Sequence, residues 1–227
     1  MMSSNLNRLK VIAAGLGELC SDVVFVGGSV AELYSDDPAA TDIRPTMDVD
    51  CVIELATYGT LQEFETRLRQ HGFENDMESG VICRWKYYGE TVDVMPDSDV
   101  ILGFTNQWYR PGFQNRINYE LTESIVIQIL PPLYYIATKI EALRSRGGDD
   151  LRFSHDFEDL IYVLNNRQDI ISLFDSEDNE TLSEYISAWA SQMLNRQNYR
   201  EEIECMLPYG DYDRVDYIID ILSHFKQ

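Results

Sequence analysis

"FVGGSVAELY", residues 25–34, runs an apolar stretch straight into two glycines and a serine. "RPTMDVDCVIE", residues 44–54, follows after a short polar interval. The first stretch reads as the end of a buried strand over 22–26, a turn, and the start of a helix whose first turn holds Ser29. The second reads as a strand over 47–55. Side chains at i and i+2 of a strand share a face. Asp48 and Asp50 therefore project together, while Met47, Val49 and Cys51 turn toward the core. Strand, glycine turn, helix and strand in that order predict an α/β (α+β) chain with a mixed sheet flanked by helices.

The neighbouring segments extend this pattern. Leu6, Leu9, Ile12, Ala13, Leu16 and Leu19 recur at helical spacing over 4–20, with Ser4 as the expected cap. "SDDPAATDIRPT" is rich in turn residues and reads as a loop. "TYGTLQEFETRLRQHG" is an amphipathic helix that ends at Gly72. "VICRWKYY" and "TVDVMP" form a hairpin about a two-residue turn at Gly89–Glu90. Residues 97–120 are ambiguous, with one or two short helices around "NQWYRPGFQN", and "SIVIQIL" reads as a further strand. Pro131 and Pro132 open a helix, where a missing N–H costs nothing. Everything beyond reads helical, with polar breaks near 147–154, 165–168, 175–180 and 208–212. The expected organisation is an α/β domain over 1–130 and a C-terminal all-helical region over 131–227.

"TVDVM" repeats the arrangement of the first pair, with Asp93 alone between Val92 and Val94. If that strand lies beside 47–55, three carboxylates converge. Two like charges about 4 Å apart repel by roughly 4 kcal/mol at an effective dielectric near 20, so three need a counter-cation. Magnesium, or manganese in its place, suits carboxylate oxygens and keeps sites for phosphate. Two such ions activate an attacking oxygen and stabilise a leaving pyrophosphate. The turn fits the same chemistry. Gly27 and Gly28 allow close backbone approach to a ligand, and Ser29 at a helix start favours phosphate. A D-x-D pair also occurs on plain solvated strand faces, and a Gly-Gly-Ser turn on its own is only a turn. The combination in this order is what points to a site.

Composition narrows the classes. The 227-residue chain has 39 acidic and 18 basic residues, a formal net charge of -21. That argues against a broad basic face for polynucleotides and suits a cationic small substrate, a basic protein partner, or plain solubility. Cys20, Cys51, Cys83 and Cys205 contain no C-x-x-C; the first three read as small core residues rather than zinc ligands. No apolar run nears the roughly 20 residues that span a bilayer, and "MMSSNLNRLK" lacks a secretory apolar region. The expectation is a cytoplasmic protein with no membrane partner. His71 and His155 read as non-ligands. Trp108, Tyr109, Phe113 and Tyr119 read as core rather than a base-stacking platform.

"VGGSVAELY", "RPTMDVDCVI" and "TVDVM" resemble the nucleotidyltransferase fold of the DNA polymerase β superfamily, whose pattern is a G-[GS] turn, then hDh[DE]h, then a third Asp on a later strand. The closer resemblance is to AbiEii/AbiGii-type bacterial nucleotidyltransferases, which include toxins of toxin–antitoxin pairs. Their later helical K-h-x-A-L-x-x-R and R-D-x-x-D-L motifs are similar to "TKIEALRSRGGDDLRFSHDFEDL" here, with Lys139, Ala142, Leu143 and Arg146 in the first and His155 where the second has arginine. The resemblance covers roughly residues 23–165 and leaves the last sixty or so unaccounted for.

By that resemblance, Gly28 and Ser29, with Gly27, form the phosphate-binding turn. Asp48 and Asp50 are the metal-binding pair, and Asp93 is the third carboxylate and the base. Arg44 and Thr46 occupy the nucleotide-side positions before the first aspartate. Lys139 binds nucleotide phosphate, and Asp156 is the aspartate of the late motif, with Asp159 a weaker partner. On its residues alone, Lys139 borders an apolar face and equally reads as a snorkelling side chain. The implied activity is a magnesium-dependent transfer of a nucleoside monophosphate from an NTP to a hydroxyl acceptor. The implied acceptor is tRNA or protein, with an antitoxin-like protein as partner. The acidic charge keeps open a cationic small-molecule acceptor of the aminoglycoside kind. A nucleotide- or protein-binding module of the same fold without turnover is the third reading.

Overall fold

Seven strands make one mixed sheet in the order β3-β4-β5-β2-β1-β7-β6. They are β1 (Val23–Val26), β2 (Val49–Ile53), β3 (Glu74–Asn75), β4 (Arg84–Tyr87), β5 (Glu90–Pro96), β6 (Ile117–Thr122) and β7 (Ile125–Ile129). The computed structural model describes residues 3–40, 43–54, 58–97, 99, 105–146 and 148–226. Leu55 at the expected end of the second strand, Thr57 at the start of the next helix, and residues 98 and 100–104 lie outside the described residues. β2 runs parallel to β5 and β1 parallel to β7, and the other pairings are antiparallel. All four residues of β1 are buried, as an apolar run in a central strand requires.

Helix α1 (Ser4–Leu16) is capped by Ser3, whose hydroxyl accepts from Leu6 N, one residue before the expected cap. Leu9, Ile12, Ala13 and Leu16 are buried, but Leu6 is half-exposed and Asn5 takes the covered position. Gly17 (φ 55°) ends the α-helix, and a 3-10 helix Gly17–Asp22 leads into β1. The expected helix after the glycines is also a 3-10 helix, Gly28–Tyr34, longer than such helices usually run. Met47 is 79% exposed, contrary to the expected alternation, because β2 begins only at Val49 and the residue before it obeys no strand period.

Helix α2 (Tyr58–Gln70) ends where Gly72 adopts φ 87°. Its Phe64 and Leu68 meet Trp85, Val94 and Pro96 around an apolar crevice, which fixes one covered face of β4 and β5. The β4–β5 hairpin turns at Tyr88–Gly89, one residue before the expected turn. Both turn residues have positive φ (48° and 85°), as a type I′ turn needs. Helix α3 (Tyr109–Gln114) falls in the ambiguous stretch, and β6 pairs with β7 as a hairpin with a bulge at Glu120/Thr122.

Past Pro131 come α4 (Pro132–Arg146), α5 (His155–Asn166), α6 (Ile170–Asp175), α7 (Glu180–Leu194), α8 (Tyr199–Glu204) and α9 (Tyr212–Phe225). Ser154 and Asn179 cap α5 and α7 through their side chains. The chain divides into two compact units, Met1–Val30 with Arg44–Pro131, and Ala31–Ile43 with Pro132–Gln227. The first holds the whole sheet. The second draws in a segment that the sequence places with the α/β half. Tyr34 packs on Tyr135 (ring centroids 4.4 Å apart), and Asp36 N donates to Asn166 O at 3.0 Å. Among the described residues no helix is long and apolar enough to cross a membrane.

Candidate functional site

Asp50 and Asp93 are direct partners across the parallel β2–β5 pair, so their side chains share a sheet face. Alternation along β5 puts Val92 and Val94 on the other face, the one covered with Trp85 and α2. The register thus puts Asp50 and Asp93 on the face that α2 leaves clear, while Asp48 precedes β2 and is placed by its own contact with Arg84. Asp93 is buried at 8% exposure.

Arg84 completes the cluster. It is the antiparallel partner of Asp93 on β4. Its Nε donates to Asp93 Oδ1 at 2.8 Å and its Nη2 to Asp93 Oδ2 at 2.8 Å and Asp48 Oδ2 at 2.9 Å. This is the two-pronged pairing that a planar guanidinium makes best. The hydrogen bond to Asp93 is the main reason that the Arg84 pKa is raised, with the charges of Asp93 and Asp48 adding to it. The like charges require a counter-cation, and Arg84 is one that the sequence analysis missed. The same negative field reaches the cysteines. Burial is the main reason that the Cys83 thiol pKa is pushed up to about 11 and that of Cys51 well above its ordinary value, and Asp93 and Asp50 add to both. These cysteines are neutral thiols at pH 7.

The glycine turn abuts the cluster. Gly27 has φ 75°, and a Cβ there would sit 2.8 Å from Asp50 Cγ and closer still to Oδ2. Only glycine leaves room for the carboxylate. Ser29 is fully buried, and its Oγ has no hydrogen-bond partner. A buried hydroxyl without a partner is uncommon and needs an explanation.

The segment before Asp48 is held from α1. Asn5 Nδ2 donates to Arg44 O at 3.0 Å, and Thr46 N donates to Asn5 Oδ1 at 2.8 Å. Thr46 Oγ1 donates to Asp48 O at 3.0 Å. Arg44 and Thr46, expected beside the nucleotide, are thus tied through their backbone to a buried asparagine that fixes where β2 begins. Asn5 gives a weak signal in the sequence, a polar residue next to an apolar stripe.

Lys139 and Asp156 lie in the helical unit. The Lys139 ammonium is 2.6 Å from Asp159 and 3.3 Å from Asp156, and its side chain is 7% exposed, so it does not snorkel. Arg146 Nη2 meets both oxygens of Asp156, at 3.0 and 2.9 Å. His155 is an exposed partner of Glu158 at 3.4 Å, and His71 Nδ1 lies 3.1 Å from Gly15 O. Trp108 and Phe113 are core residues.

Among the described residues, no group of three His, Cys, Asp or Glu side chains stands ready to hold a metal ion. Arg84 takes both oxygens of Asp93 and one of Asp48. The carboxylates of Asp48 and Asp93 are hard oxygen donors of the kind magnesium takes, and Arg84 stands between them as the counter-cation. No known family model matches the chain, and no curated protein matches it.

Proposed function

We propose that the chain is a magnesium-dependent nucleotidyltransferase with the fold of the DNA polymerase β superfamily. It moves a nucleoside monophosphate from an NTP to a hydroxyl acceptor and releases pyrophosphate. The observation that carries this reading is the pairing of Asp50 with Asp93 across β2 and β5 beside the Gly27 turn, with Asp48 joined to Asp93 through Arg84. Asp48 and Asp50 would hold the ion, with Asp93 completing the set. Bound there, magnesium or manganese supplies charge neutralisation for the triphosphate and a more acidic acceptor hydroxyl. Asp93 is the group that takes the acceptor proton. The Gly27–Ser29 turn brings backbone N–H groups to the phosphates, and the Ser29 hydroxyl gains there the partner it lacks.

The resemblance to AbiEii/AbiGii-type proteins favours tRNA or protein as acceptor and an antitoxin-like protein as partner. The net charge of -21 favours instead a cationic small molecule of the aminoglycoside kind. One experiment separates them. Each labelled NTP is incubated with magnesium and total RNA, total protein or an aminoglycoside. Label appears on one acceptor class, and Asp48→Asn and Asp93→Asn each lower transfer by about 100-fold or more, the scale of losing a general base. No transfer to any acceptor, together with no NTP-dependent rise in melting temperature, removes the enzymatic reading.

A further inference from the structure

Asp48 and Asp93 share one guanidinium, two carboxylates against one positive charge. Arg84 is the only positive group recorded on Asp93 and Asp48 among the described ion pairs. It stands on a flexible stem, its side chain 24% exposed, so it can leave without unfolding the hairpin. Its guanidinium holds the oxygens a divalent ion needs, and it also holds both oxygens of the proposed base.

We propose that Arg84 is a displaceable counter-cation: it keeps Asp48 and Asp93 together in the resting protein and yields them to a divalent cation. The inference rests on the metal-site reading above. A divalent ion offers these oxygens twice the charge at a shorter distance, set against the cost of stripping its own hydration shell. Metal–oxygen contacts run near 2.0–2.1 Å for magnesium, against 2.8–2.9 Å for the guanidinium nitrogens, and attraction scales with charge over distance. The seat occupied by Arg84 lowers metal affinity by the free energy of its own hydrogen bonds.

The test is direct binding of Mn2+ alone to the full chain, followed by its electron-paramagnetic signal and by melting temperature. Arg84→Gln removes the competing charge. It is expected to melt lower than wild type without metal, to bind Mn2+ about tenfold more tightly or better (tenfold being ~1.4 kcal/mol of removed competition), and to gain more melting temperature from Mn2+ than wild type does. Arg84→Lys keeps a charge but loses the fork, so its Mn2+ affinity falls between the two; it serves if Arg84→Gln does not fold. Asp48→Asn loses binding in either background. An arginine that only braces the hairpin gives the opposite order, with affinity unchanged or weaker in both Arg84 variants, and that overturns the proposal while leaving the metal site standing. Absence of Mn2+ binding in wild type and Arg84 variants alike overturns both.

Discussion

Gly27 and Asp50 form the tightest side-chain constraint in the cluster, and it is a constraint on absence. The position needs φ 75° and has no room for a methyl group beside the carboxylate. Gly27→Ala is therefore expected to cost roughly 2–4 kcal/mol, about 1–2 from the left-handed backbone and the rest from pushing Asp50 aside. Denaturant unfolding measures it, and Mn2+ binding should weaken in the same variant because Asp50 has moved. An unchanged midpoint would mean that the turn relaxes and that the cradle is not rigid. At this scale Asp48 lies before β2 and owes its place to Arg84, whereas Asp50 and Asp93 were readable because they need only the period of two in a strand. Arg84 was not. An arginine in "VICRWKYY" is an ordinary strand charge until the hairpin register sets it opposite Asp93. Turning at Gly89–Glu90 would have set Lys86 there. Both registers keep Trp85 on the same face as Val92 and Val94, so burial does not choose between them. The φ values of Tyr88 and Gly89 do.

Elements were legible where their periodicity was strong and lost where polar residues hid it. The breaks between the late helices coincide with caps and turn residues. β6 was missed because it is an edge strand, largely exposed, and an edge carries polar side chains without penalty. Asn5 hid for the opposite reason: a polar residue on the buried stripe of α1 is visible only once the R-P-T segment it holds is in place. Helices α4 and α5 show the same limit, since Lys139 finds its partners 17 and 20 residues on, in a different helix. The pairing turns an apparently adjustable surface lysine into a buried charge. Lys139→Ala leaves the fully buried Asp159 without it, and breaking a buried pair costs about 3–5 kcal/mol. The melting temperature should drop accordingly, and Lys139→Met combined with Asp159→Leu should recover most of it by removing both charges. A loss under about 0.5 kcal/mol, the scale of an exposed substitution, would mean that the ammonium is not paired as described. Any loss of NTP turnover in Lys139→Ala is interpretable only beside that stability measurement.

Across the whole molecule the ion pairs are numerous but the balance is one-sided. Arg8, Arg67, Arg69, Arg84, Arg110, Arg146, Arg152, Arg167, Arg196 and Arg200 all have carboxylate partners. With 39 acidic and 18 basic residues, most carboxylates have no cation to match. Salt acts on both sides of this ledger. It weakens exposed pairs, each contributing about 0–1 kcal/mol, and it screens the repulsion among the excess acids over a Debye length near 10 Å at 0.1 M. Because the excess is 21 charges, screening of repulsion should win. The melting temperature is expected to rise as sodium chloride is raised from low concentration toward 0.5 M. If the proposed site at Asp48, Asp50 and Asp93 binds magnesium, magnesium chloride at matched ionic strength should raise it further, because a ligand of the folded state alone stabilises it. The sodium effect is diffuse and should persist in Asp48→Asn, whereas the extra magnesium increment should disappear. If the increment survives unchanged in Asp48→Asn, the divalent ion is acting on the general acidic surface, and the cluster beside Gly27 is not its site.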